Sequence, residues 1–237
     1  MDCVSRIASV ELTVGKGNWP YAENHKSAIA NHWNIATARN ANFFNGTVHV
    51  ISHLHKSGDH VSAHFIATEF KNLLYWRDEG FPAEAKVLDG FGSALIRSSE
   101  GYIVLGRQRA GNINEGLAYL PGGFIDHRDV TADGIVDIRS SIARELLEET
   151  GLGAPTLSAE PGFLLIEVAA HVSFTVPCNS AHPADELKAR IEAHIGLDAN
   201  SELVEVVVVR HPGDLKYLPM PHYARVLLNS PLAWLRS

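Results

Sequence analysis

The chain has 237 residues, enough for one large domain or two modest ones, and its 46% hydrophobic and 20% charged content provides ample material for a core. A net charge of −7 with no Lys/Arg-rich stripe argues against nucleic acid as a partner, whereas a phosphorylated small molecule stays compatible if a metal ion supplies positive charge locally. Two distant cysteines, Cys3 and Cys178, a start without a signal-type apolar region, and no run near the roughly 18 apolar residues of a membrane span lead us to expect a cytoplasmic protein with no membrane partner.

From the N-terminus, Ile7 to Val14 alternates loosely and predicts a strand that Gly15-Lys16-Gly17 ends. Tyr21 to Ala38 predicts a helix after Pro20. Thr47 to Leu54 and His60 to Ala67 predict a hairpin around Lys56-Ser57-Gly58-Asp59, and Thr68 to Glu79 a second helix. His49, His53, His55, His60 and His64 crowd into the hairpin, where alternation puts the first three on one sheet face. No cysteine or paired carboxylate completes a usual zinc set there, so a partly exposed strand face is the preferred reading. Residues 1–89 thus form a small α/β unit with no catalytic signature.

From Gly90 the strands lengthen. Gly92 to Ser98 and Tyr102 to Arg107 should pair antiparallel about Ser99-Glu100-Gly101. Arg107 and Arg109 face the same way, and guanidinium forks match phosphate oxygens, so both are candidate substrate contacts; plain surface solubility is the alternative. Leu117 to Leu120 leads into Pro121-Gly122-Gly123, where Gly122 and Gly123 would let backbone approach metal and phosphate closely.

Ile138 to Thr150 predicts a helix with Gly151 as its left-handed stop. It carries Arg144-Glu145-Leu146-Leu147-Glu148-Glu149-Thr150-Gly151-Leu152. Glu145, Glu148 and Glu149 stand at i, i+3 and i+4 on one face, where like charges repel, and they border the apolar stripe instead of opposing it. A counter-cation is therefore expected, and hard oxygen ligands suit Mg²⁺ or Mn²⁺. The bland alternative is a solvated acidic face. Beyond the helix, Phe163 to Val168, His171 to Val176 and Leu203 to Val209 predict strands, Pro183 to Ile195 a helix, and Tyr223 to Leu228 a last helical stretch.

The run from Arg144 to Leu152 matches the REUxEExGU signature of the Nudix hydrolases at every specified position, and Pro121-Gly122-Gly123 resembles that family's lead-in to its catalytic loop. The resemblance implies an α/β/α sandwich with a mixed sheet over residues 90–237, binding of Mg²⁺ or Mn²⁺, and hydrolysis of a nucleoside diphosphate linked to another moiety. It implies Glu148 and Glu149 as metal ligands, Glu145 as a ligand or a residue that orients water, and Arg144 as the residue that orients a carboxylate and holds the loop against the helix. A further acid is implied outside the run, with Glu167, Glu186, Glu202 and Glu205 all eligible. A homodimer is compatible.

The family's upstream glutamate is missing: Val136 occupies its position, and the segment Phe124 to Ile138 is longer than the pattern allows. Asp126, Asp129, Asp133 and Asp137 lie in this insertion. Asp137 either replaces the missing acid or, preferably, caps the helix. Phe43-Phe44-Asn45-Gly46 and Leu74-Tyr75-Trp76-Arg77 resemble the N-terminal extension of an atypical Nudix branch that includes UDP-sugar hydrolases, which makes a nucleotide sugar the first guess. Two other readings stay open: a Nudix-fold module that binds a nucleotide without turning it over, favoured by the missing glutamate, and a scaffold in which the acidic helix is structural.

Overall fold

The computed structural model describes residues 2–235. The strand predicted over Ile7 to Val14 is strand β2 (Ser9–Gly15); a further strand, β1 (Cys3–Ile7), precedes it, and Ala8 between them lets the chain pass from one sheet to another. Helices α1 (Pro20–Asn24) and α2 (Lys26–Arg39) replace the single predicted helix, with His25 as the break. Strands β3 (Thr47–Ser57) and β4 (His60–Glu69) form the expected hairpin, and β2 pairs with β4 in parallel to give the order β2-β4-β3. Helix α3 (Phe70–Asp78) follows directly.

A bulge between Ile51 and His53 breaks the alternation on which a shared histidine face depended. His49 is buried, with its Nδ1 3.1 Å from the Ile125 carbonyl, and its pKa is lowered, chiefly by burial. His53 and His55 are exposed.

The larger sheet is mixed. Strands β5 (Asp89–Arg97), β6 (Ile103–Gln108), β7 (Ala118–Tyr119) and β8 (Gly122–Phe124) precede helix α4 (Ile138–Thr150). Strands β9 (Leu157–Ala159), β10 (Phe163–Val168) and β11 (His171–Ser180), helix α5 (Ala184–Leu197), strand β12 (Leu203–Val209) and helix α6 (His222–Asn229) complete the chain. The order is β1-β10-β11-β5-β6-β12, with β11 and β5 parallel and the other neighbours antiparallel.

Helices cover both faces of this sheet. Ile138, Ile142 and Leu146 of α4 and Leu187 and Ile191 of α5 pack on one face with Ala94, Ile96, Phe174 and Val176. Tyr223, Ala224, Leu227 and Leu228 of α6 pack on the other with Leu95, Ile103, Leu164 and Ile166. The small sheet joins the first of these layers: Leu12, Ile51, Val61 and Phe65 share the core cluster of α4, and β1 lies at the edge of the larger sheet against β10.

The insertion has a structural role. Asp126 caps a short 3-10 turn, His127–Asp129, and the chain then folds back on itself with Val130 bridging to Val136. Ile135 bridges to Thr13, Val14 N–H donates to the Gly134 carbonyl at 2.8 Å and Val136 N–H to the Leu12 carbonyl at 2.9 Å. The extra residues thus add an edge to β2 and tie the N-terminal section to the start of α4.

Candidate functional site

Helix α4 places its acids by its two ends. Asp137 is its N-cap, accepting from Ser140 N–H at 3.1 Å, and Gly151 closes it at φ +68°. With Ile138, Ile142 and Leu146 turned to the core, Glu145 and Glu149 emerge at the edge of the apolar stripe, and Glu148 lies further out.

The Pro121-Gly122-Gly123 turn lies against these acids. A Cβ at Gly122 would sit 2.2 Å from the Gly92 carbonyl oxygen, and one at Gly123 would sit 2.8 Å from the Glu145 carboxyl carbon. Only glycines let β8 pair with β5 while leaving room for that carboxylate. Gly122 N–H donates to Glu149 Oε2 at 3.1 Å, and Tyr119 Oη donates to Glu149 Oε1 at 2.5 Å.

Arg144 reaches three carboxylates: Glu145 at 2.5 Å, Glu148 at 3.3 Å and Asp129 of the insertion at 2.8 Å. Burial works against its charge, but Asp129 and Glu145 outweigh that and hold its pKa above the ordinary arginine value. Arg128 is paired with Asp126 at 2.7 Å and stands 3.9 Å from both Glu145 and Glu148.

These groups close one end of a cavity of about 1120 Å³. Tyr119, Gly122, Gly123, Arg128, Glu145 and Glu202 line that end; Glu149 lies beneath it, only 5% exposed. Phe43, Phe70 and Phe124 form an aromatic wall, and the lining also includes Phe44 and Arg77, whose pKa burial lowers. Asp89, Phe91, His171 and Tyr223 line a further part.

Three acids here hold their protons more tightly than ordinary glutamates. Burial is the main cause for each. Glu149 is raised furthest, with the Tyr119 hydrogen bond opposing and the charges of Glu202 and Glu145 adding to it. For Glu145, Arg144 opposes while Glu148 and Glu202 add, and for Glu202 the second cause is Glu148. Glu202 presents surface to solvent at the cavity wall, yet the surrounding protein mass raises its carboxyl.

Of the four eligible outside acids, only Glu202 lines the cavity. Glu167 faces Lys56 at 3.4 Å, Glu186 faces Arg190 at 2.6 Å, and Glu205 faces Arg107 at 2.5 Å. The same pairing corrects the expectation for the arginines. Arg107 stands opposite Glu205 across β6 and β12, and Arg109 donates to the Ala199 carbonyl; neither lines the cavity. Asp137 is spent on capping. Asp129, one of the insertion's four acids, and Tyr119, two residues before Pro121, join the site without any motif of their own in the sequence.

The donor set is all oxygen, and burial raises three of its carboxyls, which suits a hard divalent cation. Among the described residues, however, no group of three or more His, Cys, Asp or Glu is arranged to hold a metal ion. Arg144 occupies Glu145 and Glu148, and both oxygens of Glu149 already accept hydrogen bonds.

Among solved structures, the chain is similar to RenU, a Nudix hydrolase from M. Smegmatis, at 17% identity over 59% of this chain and 80% of that one, with a TM-score of 0.39. The chain resembles Nudix proteins. The MutT protein from Methanosarcina mazei Go1 is 23% identical over 58% of this chain and 88% of that one, at 0.39. The Nudix domain of Shewanella oneidensis NrtR, complexed with ADP ribose, is 17% identical over 65% and 93%, also at 0.39. No protein-family model and no curated protein matches the sequence. The chemistry of the Nudix-like run therefore rests on this chain's own residues. No helix among the described residues is long and apolar enough to cross a membrane.

Proposed function

We propose that this chain is a divalent-metal-dependent hydrolase that cleaves the diphosphate of a nucleoside diphosphate linked to another moiety. The observation that carries this reading is the placement of Glu145 and Glu149 against the glycine turn, with Glu202 lining the same cavity and near enough for its charge to act on both. Once Arg144 releases Glu145 and Glu148, these two acids and Glu149, with Glu202 as the outside acid, would hold Mg²⁺ or Mn²⁺. The ion, when bound, supplies charge neutralisation for the diphosphate and acidifies water.

The chain's own residues perform the remaining tasks. Arg128, paired with Asp126 and at 49% side-chain exposure beside the acids, would offer its remaining N–H groups to a phosphate oxygen. The Gly122-Gly123 backbone lets the Glu145 carboxylate lie against β8, at the edge of the cavity where the diphosphate would enter. Glu202, not enlisted by Arg144, is the candidate to take a proton from attacking water. Tyr119 fixes Glu149 from below.

The test is release of nucleoside monophosphate or phosphate from a panel of nucleoside diphosphate derivatives with Mg²⁺ or Mn²⁺. Native protein is compared with Glu149→Gln and Glu202→Gln. Turnover that Glu149→Gln abolishes supports the hydrolase; no turnover of any panel compound by folded protein overturns it. The Arg144 contacts to Glu145 and Glu148 favour a second reading, a module that binds such compounds without cleaving them. Its signature is ligand binding with no product.

A further inference from the structure

Phosphate chemistry does not account for the part of the cavity built by β5 and β11. Asp89 is 7% exposed, and its Oδ2 accepts from His171 Nδ1 at 3.0 Å. Its Oδ1 is buried and has no protein donor. A buried acceptor left unpaired is costly, and this one belongs to a side chain that lines the cavity.

Aromatic rings stand about the partner of that carboxylate, His171, and line the same cavity. The Phe81 ring stands edge-on to His171 at 4.7 Å, and Phe91 lies 6.3 Å from His171 and 4.8 Å from Tyr223. Phe81 has φ +59°, a conformation that a bulky L-residue adopts at a cost, and it is braced from behind by Trp76 at 4.8 Å. The fold accepts that strain in holding a ring beside His171.

An apolar-walled space beside one buried, unpaired anionic acceptor selects a planar heteroaromatic ring that donates an N–H. The two kinds of donor on nucleobases differ. An exocyclic amino group offers its N–H at the ring's edge. The imide N–H of uracil is flanked by two carbonyl oxygens, which would be brought up against the carboxylate. We propose that this end of the cavity is a subsite for an amino-bearing nucleobase, whose exocyclic N–H donates to Asp89 Oδ1 while its ring lies among Phe81, Phe91 and Tyr223. His171 is a positioning residue that fixes Asp89. The subsite rests on the hydrolase reading only in that the same cavity holds both halves of one nucleoside diphosphate compound.

The experiment measures binding of three monophosphates to the full chain by calorimetry in EDTA: those of adenosine, of purine riboside, which lacks the amino group, and of uridine. The expected result is adenosine monophosphate bound at least about tenfold tighter than the other two, with the preference lost in Asp89→Ala. Equal affinity for adenosine and purine riboside monophosphates, tighter uridine monophosphate, or no binding of any overturns the subsite. The comparison on native protein needs no variant and stands even if Asp89→Ala fails to fold. Adenosine preference without turnover of any diphosphate leaves the subsite and removes the hydrolase; turnover with no preference among bases does the reverse.

Discussion

Arg144 donates to Asp129 Oδ1 at 2.8 Å, so a helix residue of the Nudix-like run is anchored by a carboxylate that the insertion itself supplies. Asp129 is 4% exposed and also accepts from Asp126 N–H at 2.9 Å, which makes it the joint between the inserted turn and α4. With that joint made, the same guanidinium holds Glu145 and Glu148 in place.

Asp129→Ala should therefore act on stability and on the acids together. Loss of charge-assisted hydrogen bonds at a buried carboxylate is expected to cost about 2–3 kcal/mol in urea unfolding. Asp129→Asn should recover part of this by keeping an acceptor. A stability loss below about 0.5 kcal/mol for the alanine variant would contradict the anchoring role.

The raised carboxyls fix the sign of a pH dependence. In the folded chain Glu145, Glu149 and Glu202 bind protons more tightly than an ordinary glutamate of pKa 4.5. Above that value the folded state holds more protons than the unfolded one, so their contribution to stability is fully present below 4.5 and is lost as pH rises. In EDTA the unfolding midpoint should fall as pH rises above the ordinary glutamate range. Glu202→Gln should flatten the slope, and saturating Mg²⁺ should recover stability at the upper pH. A midpoint that rises through the same range in EDTA would refute the assignment.

Arg107 and Arg128 should separate cleanly in substrate kinetics. Arg107 is neutralised by Glu205 away from the cavity, so Arg107→Ala should change KM by less than about twofold, as expected for a surface pair. Arg128→Ala removes a cation from the cavity wall beside Glu145 and should raise KM about tenfold or more. The opposite ranking would return the substrate contact to the strand arginines.

Within residues 138–150, local chemistry was enough for the sequence to determine the element. An apolar stripe, an Asp cap and a terminal glycine define the helix over the span that the structure shows, and the spacing of Glu145, Glu148 and Glu149 follows from its turn. Strand β12 and the β3-β4 hairpin were legible for the same reason: alternation or a β-branched run with a turn signal is written in consecutive residues. The separate strand β1 upstream of Ala8 was not, because its place at the edge of the larger sheet depends on pairing with β10 far along the chain.

Only the tertiary structure decided which side chains share the cavity. Glu167, Glu186, Glu202 and Glu205 look alike in sequence, and it is cross-strand and helix pairing that occupies all but Glu202. The arginines misled for the same reason, since Arg107 meets Glu205 only once β6 and β12 are adjacent. Asp89 and His171 are 82 residues apart and become a pair because β5 and β11 run in parallel register, His171 opposite Asp89. Periodicity encodes which face of an element is apolar; which elements become neighbours is settled by packing over the whole chain, and the composition of the site follows from that.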